Sequence, residues 1–301
     1  RRQVMRHVLQ RWLDRALPAT SLRQLGNAWL RLLAALAASA AAPALPQPAP
    51  GEVSVFAAGS LRAALTEVAT AWHAVQPNAR VKLTFGASGL LKDRLLRGEA
   101  ADVFASANLE HPQALADAGR AAPPRAFARN LLCALVAPDV ALAPDTLIQR
   151  LLDPKLRVAT STPKSDPAGD YAFAMFERIE QSGRAGASKT LSEKALQLTG
   201  GPNSPAPPAN RNVHGALMQA GKADVFITYC TNAVVAIAEV PALRSVVVPA
   251  SVNVGASYGV TVLRAPGGVA QDTGDAAQRF VDFLLGAAGQ AVLARHGFLS
   301  H

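Results

Sequence analysis

From Val53 onward, short apolar runs alternate with segments whose apolar residues recur at helical spacing. Residues 53–57 are mostly apolar and lead to Gly59-Ser60. Leu61, Leu65, Val68 and Trp72 then fall at i, i+4, i+7 and i+11, one face of a helix. Residues 80–85 alternate as a strand until Gly86-Ala87-Ser88-Gly89 breaks the pattern. Residues 90–97 read as a helix, 101–106 as a strand and 112–118 as a helix. That β-α-β-α-β-α order predicts a parallel sheet covered on both faces. Downstream, 131–137, 156–159, 224–229, 245–249 and 258–263 read as strands. Residues 169–181, 212–220, 275–285 and 290–296 read as helices, and the Gly/Pro/Asn-rich stretch 200–209 as a loop. The expected fold class is α/β with two lobes, each a mostly parallel sheet flanked by helices. Strands 131–137 and 258–263 are the candidates to cross between them as hinges. The lobes would then be 51–131 plus 262–301, and 132–261.

The first fifty residues follow a different rule. Seven arginines face one acid there, a net +6, which leaves only +3 of the total +9 for residues 51–301. An uncharged Leu/Ala-rich stretch follows Arg31, and prolines follow from Pro43. A basic start, a short apolar stretch and a small-residue end describe a secretory leader. The alternative is an amphipathic or membrane-anchoring helix. No apolar run after residue 50 reaches the roughly 20 residues that span a bilayer. With the basic excess assigned to an export address, the remaining charge does not argue for a nucleic-acid partner.

Two cysteines, Cys133 and Cys230, exclude a disulfide scaffold and the usual structural zinc site. Each sits in or beside an apolar run, the setting of a buried thiol. In an oxidising compartment they could instead pair, provided their Cα atoms lie within about 7 Å. The six histidines are scattered without metal-ligand spacing, so no metal centre and no cofactor are expected.

Function should lie where strands end and helices begin. Ser60 and Ser88 each follow a strand and open a helix, through small residues that leave the approach open. Each is a plausible helix N-cap. Together, two helix N-termini on one edge would offer unpaired N–H groups, hydroxyls and partial positive charge to one anion. Neither junction is a G-x-S-x-G nucleophile elbow, and His73 and His214 fall on predicted helices. A serine hydrolase therefore lacks its motif, and no catalytic residue is assigned.

The order of short motifs resembles the periplasmic molybdate-binding proteins of ABC importers, within the two-lobed solute-binding proteins. The motifs are Ala57-Ala58-Gly59-Ser60-Leu61, Phe85 to Leu91, Gly98 to Ala107, Pro167 to Tyr171, Asn212 to Leu217, Asp224 to Ala233, and Gly289 to Phe298. The resemblance covers roughly 52–301. It implies oxyanion contacts from the hydroxyls of Ser60, Ser88 and Tyr229 and from the backbone N–H groups of Ala168 and Val213. It further implies molybdate or tungstate as ligand, closure of the lobes about a hinge, a membrane ABC permease as partner, a periplasmic location and a monomeric protein. The chain departs from the family at Gly59, at Thr162-Pro163 and at Cys230-Thr231-Asn232.

A dianion in a dry cleft needs a donor for every oxygen. Five to seven aligned donors suffice for roughly micromolar affinity, about −8 kcal/mol. Neutral donors suit a fully ionised ligand, whereas a protonated one also requires an acceptor. An inward-pointing carboxylate would repel molybdate but accept that proton. Asp166 and Asp170 are the candidates; the plainer reading makes them a solvated loop acid and a solvated helix-start acid. Lys164 could favour an anion from the rim. If a carboxylate faces the cleft, the alternative ligand is another small anion, such as sulfate or an organic acid.

Overall fold

A computed structural model describes residues 51–206, 209–265 and 274–301. The expected leader lies outside the described residues. Pro48–His301 forms one compact unit built on two five-stranded sheets.

The first sheet has the order β2-β1-β3-β10-β4, with β1 at Glu52–Ala58, β2 at Arg80–Gly86, β3 at Val103–Ser106, β4 at Arg125–Asn130 and β10 at Ala256–Val262. β1 pairs parallel with β2 and β3, while β10 runs antiparallel to both β3 and β4. The second sheet has the order β7-β6-β8-β5-β9, with β5 at Leu132–Val136, β6 at Val158–Ser161, β7 at Leu196–Thr199, β8 at Val225–Tyr229 and β9 at Arg244–Val247. Here β6 is parallel to β7 and β8, and β5 is antiparallel to β8 and β9. Four strands of each sheet therefore point one way. This is the two-lobed α/β fold, each lobe a mostly parallel sheet flanked by helices.

Helical stripes cover the sheets. Helix α1 (Arg62–Val75) buries Leu65, Val68 and Trp72, the stripe expected from spacing. The Trp72 ring meets Phe280 and Phe283 edge-on at 5.9 and 5.5 Å. Those contacts fasten the late helix Gly274–Leu285 onto the first lobe. In the second lobe, Pro167–Gln181 buries Met175, Phe176 and Ile179.

The chain passes between sheets twice. The first passage is at Leu131, between β4 and β5, inside the segment expected to make it. The second lies in residues 248–255, before β10. This corrects the assignment of the second crossing to residues 258–263. All of β10 pairs within the first sheet, so 256–261 belong there and not with the second lobe.

The buried-thiol reading of the cysteines is also corrected. Cys133 and Cys230 form a disulfide, with Cα atoms 4.8 Å apart. The cause is strand register. Leu132 lies opposite Tyr229 in the antiparallel β5–β8 pair, and Cys230 N–H donates to Leu131 O at 2.9 Å. The bridge therefore ties down the chain immediately after Tyr229.

Candidate functional site

A cleft of about 1100 Å³ is lined by residues of both lobes, near the upper end for small-ligand sites. From the first lobe come Ala58 to Ser60 after β1, Phe85 to Ala87 after β2, and Ala107 after β3. From the second come Ser161 at the end of β6, Thr199 and Gly200 at and just after the end of β7, and Tyr229 at the end of β8. All lie at or just beyond the carboxyl ends of parallel strands, where loops are free to surround a ligand.

Ser60, Ala168, Val213 and Tyr229 all line this cleft. Ser60 lies in the 3-10 turn Gly59–Leu61 and does not cap α1. Its Oγ is 2.9 Å from the Tyr258 phenol oxygen. Tyr258 in turn accepts from Asn130 Nδ2 at 3.3 Å, and Asn130 also donates to Thr231 Oγ1 at 2.8 Å. Val213 opens the helix Val213–Gln219, capped by Asn212, whose Oδ1 accepts from Gly215 N–H at 2.8 Å.

Tyr229 is buried, and its hydroxyl has no hydrogen-bond partner. Its ring is held between Tyr171 and Tyr258, with centroids 6.3 and 5.7 Å away. Burial holds its proton on well above the ordinary tyrosine range, and neighbouring Tyr258 and Asp166 reinforce this. The group is therefore a neutral donor at any physiological pH, on a residue that lines the cleft.

Ser88 does not line the cleft. It is buried in the first turn of helix Ser88–Leu96, and its Oγ accepts from Ala107 N–H at 3.1 Å. The next residue, Gly89, donates its N–H to Ser165 O of the second lobe at 2.9 Å. The loop carbonyl thus takes up one of the free N–H groups expected to face an anion. A Cβ at Gly89 would sit 2.6 Å from the carbonyl oxygens of Lys164 and Ser165, so glycine permits this approach.

The plainer reading of Asp166 is corrected as well. Its half-buried side chain lines the cleft and caps the helix Pro167–Gln181, accepting from Ala168 N–H at 3.1 Å. That bond commits the backbone donor assigned to the anion. Burial raises the carboxyl above its usual range; the bonds from Ala168 N–H and the Ser161 hydroxyl oppose this, and the Asp170 charge adds to it. Gly200, at φ +73°, lies close by, and a Cβ there would come within 2.5 Å of Asp166 Cβ and Oδ2. Asp170 is half-buried, not fully solvated, and accepts from Lys164 N–H at 2.7 Å.

Three further lining residues escaped sequence reasoning. Arg62 stacks over Phe85 with its guanidinium carbon 4.5 Å from the ring centre, and Arg211 pairs with Glu239, which also lines the cleft. His214 also lines the cleft and is buried; desolvation lowers its pKa to about 4, so it is neutral near pH 7. Its Nε2 faces Thr228 Oγ1 at 3.2 Å, away from any serine hydroxyl. Among the described residues, no cluster of three or more His, Cys, Asp or Glu could hold a metal ion.

The bacterial extracellular solute-binding protein family matches residues 53–299. The chain belongs to that family. This solute-binding protein is 39% identical over 182 residues to an uncharacterised protein of Pasteurella multocida, covering 59% of this chain and 73% of the relative. It is 29% identical over 262 residues to the molybdate-binding protein ModA of Mycobacterium bovis, covering 86% of this chain and 88% of that one. Among solved structures, the periplasmic molybdate-binding protein of Azotobacter vinelandii superposes with a TM-score of 0.63 at 17% identity, covering 83% of this chain and 99% of that one.

Proposed function

We propose that this solute-binding protein captures a small oxyanion in the interlobe cleft and delivers it to a membrane ABC permease from the periplasmic side. Molybdate is the first candidate ligand, supported by the similarity to the ModA protein of M. bovis. Tungstate is the second, since it is nearly the same size. The observation that carries the reading is the unpartnered Tyr229 hydroxyl, buried in a cleft that Ser60 and Val213 also line. A buried donor without a partner costs about 1–3 kcal/mol, and a bound oxyanion would repay it. Ser60, Val213 and Tyr229 are the proposed contacts, and the protein is proposed to act as a monomer without a catalytic step.

Asp166 and the roomy cleft favour a second reading, the same receptor for another small anion. Isothermal titration with molybdate, tungstate, sulfate and phosphate tests both. Micromolar binding of molybdate supports the first, and binding of sulfate or phosphate without molybdate the second. Failure of every oxyanion to bind refutes the capture function.

A further inference from the structure

Asp166 places a carboxylate among the donors of the cleft, and the other acid that lines it, Glu239, is paired with Arg211. Asp166 is held in place on three sides. Its Oδ1 is engaged by Ala168 N–H, its Cβ and Oδ2 lie against Gly200, and Ser161 and Thr199 form a hydroxyl pair nearby at 2.7 Å. It cannot rotate away without losing a helix cap, and its charge is felt at the Tyr229 hydroxyl.

We propose that Asp166 is the specificity-determining residue that fixes the charge state of the anion the cleft accepts. As a carboxylate it accepts an O–H carried by the ligand and disfavours a fully ionised tetraoxyanion. The ligand chemistry is then an oxyanion that keeps a hydroxyl proton, either inorganic hydrogen phosphate or the monoanion of an organic phosphate monoester, which persists only below a pKa of about 6. This deepens the second of the two readings, the same receptor for another small anion, and rests on oxyanion capture in the same cleft.

The surrounding charges do not cancel the effect. Arg211 is paired with Glu239, and Arg62 lies over Phe85 on the first lobe. Asp170 adds negative charge on the same helix, Lys164 lies in the loop beside it, and Glu110 contributes further negative potential at Asp170. His214 is neutral above about pH 4. Tyr171, Tyr229 and Tyr258 remain protonated, because burial raises all three. The raised carboxyl of Asp166 gives the filter a pH dependence. Protonation turns the acceptor into a donor, so binding of an ion that stays dianionic should strengthen as the pH falls.

The test is isothermal titration of the wild-type chain and Asp166→Asn with sulfate, molybdate, inorganic phosphate and glycerol phosphate at pH 6 and 8. Asn keeps the acceptor oxygen for Ala168 N–H, so the helix cap survives; circular dichroism and a thermal melt check the fold. The expected result is a shift of about tenfold or more toward molybdate and sulfate in the variant, equivalent to about 1.4 kcal/mol. Phosphate binding, and monoester binding at pH 6, should weaken, and sulfate should lose its pH dependence. The phosphate and monoester arms separate the two ligand sources. An unchanged ratio of molybdate to phosphate affinity in a folded variant overturns the proposal while leaving oxyanion capture intact. Absence of binding by every anion to both proteins overturns the two together.

Discussion

Replacing Tyr229 by Phe separates binding from folding, because the two effects have opposite signs. The substitution removes one oxygen and keeps the ring with its edge contacts to Tyr171 and Tyr258 at 6.3 and 5.7 Å. In the unliganded protein the hydroxyl is buried without a partner. Removing it forfeits no internal hydrogen bond and should leave stability unchanged or raise it, by up to about 1–3 kcal/mol. With ligand bound, the same oxygen is the proposed donor to an anion. Hydrogen bonds to charged groups contribute about 1.5–3 kcal/mol, so the dissociation constant should rise roughly 10- to 150-fold. Titration with whichever oxyanion the wild type binds gives the first quantity, and a thermal melt without ligand gives the second. At saturating ligand the wild type should gain more in Tm than the variant, since ligand stabilisation grows with RT ln(1 + [L]/Kd). A variant with unchanged affinity and a lowered Tm refutes the reasoning and makes Tyr229 a core residue.

Ser88→Ala is the contrasting control: it should cost about 1–3 kcal/mol of stability by orphaning the buried Ala107 N–H, with little change in affinity measured by titration. Replacing Cys133 and Cys230 together by Ser opens a loop with a sequence separation of 97 residues. Loop entropy puts the loss at about 4–5 kcal/mol, read as a Tm lowered by roughly 10–20 °C, and dithiothreitol should reproduce it in the wild type. His214 is buried and titrates at about 4 in the folded chain against an ordinary histidine value of 6.5. Between those values the unfolded chain binds the extra proton, so stability is full above pH 6.5 and falls as the pH drops toward 4, by up to about 3 kcal/mol. Urea unfolding at pH 7 and 4.5 measures that slope, and His214→Gln should remove this part of it.

Much of the scaffold was written in local pattern. The stripe Leu65, Val68 and Trp72 set the buried face of α1, because helical period alone decides which side chains share a face. Strand ends were legible from alternation and punctuation to within a residue, at 57 and 85 against Ala58 and Gly86 and at Tyr229 itself, whereas the pairing of Ser60 with Tyr229 in one site came from the family resemblance. Strands β4 and β7 were missed: RAFARN and LQLT carry no long apolar run. Their pairing is supplied by neighbouring strands distant in sequence. The hydroxyl of Ser88 went astray for a similar reason, since its partner is the N–H of Ala107, nineteen residues away.

The sequence by itself determined the α/β alternation, the concentration of basic charge in the first fifty residues, and the strand-to-helix junctions that line the cleft. These follow from periodicity and composition, which act over a few residues. Only the tertiary structure decided that β10 joins the first sheet, that Cys133 meets Cys230, and that Asp166 faces the cleft while Ser88 does not. Each of those depends on the register and approach of segments far apart in the chain. A carboxylate at Asp166 among the lining residues would change which anion the cleft welcomes, and nothing in the local pattern around Asp166 reveals that it lies there.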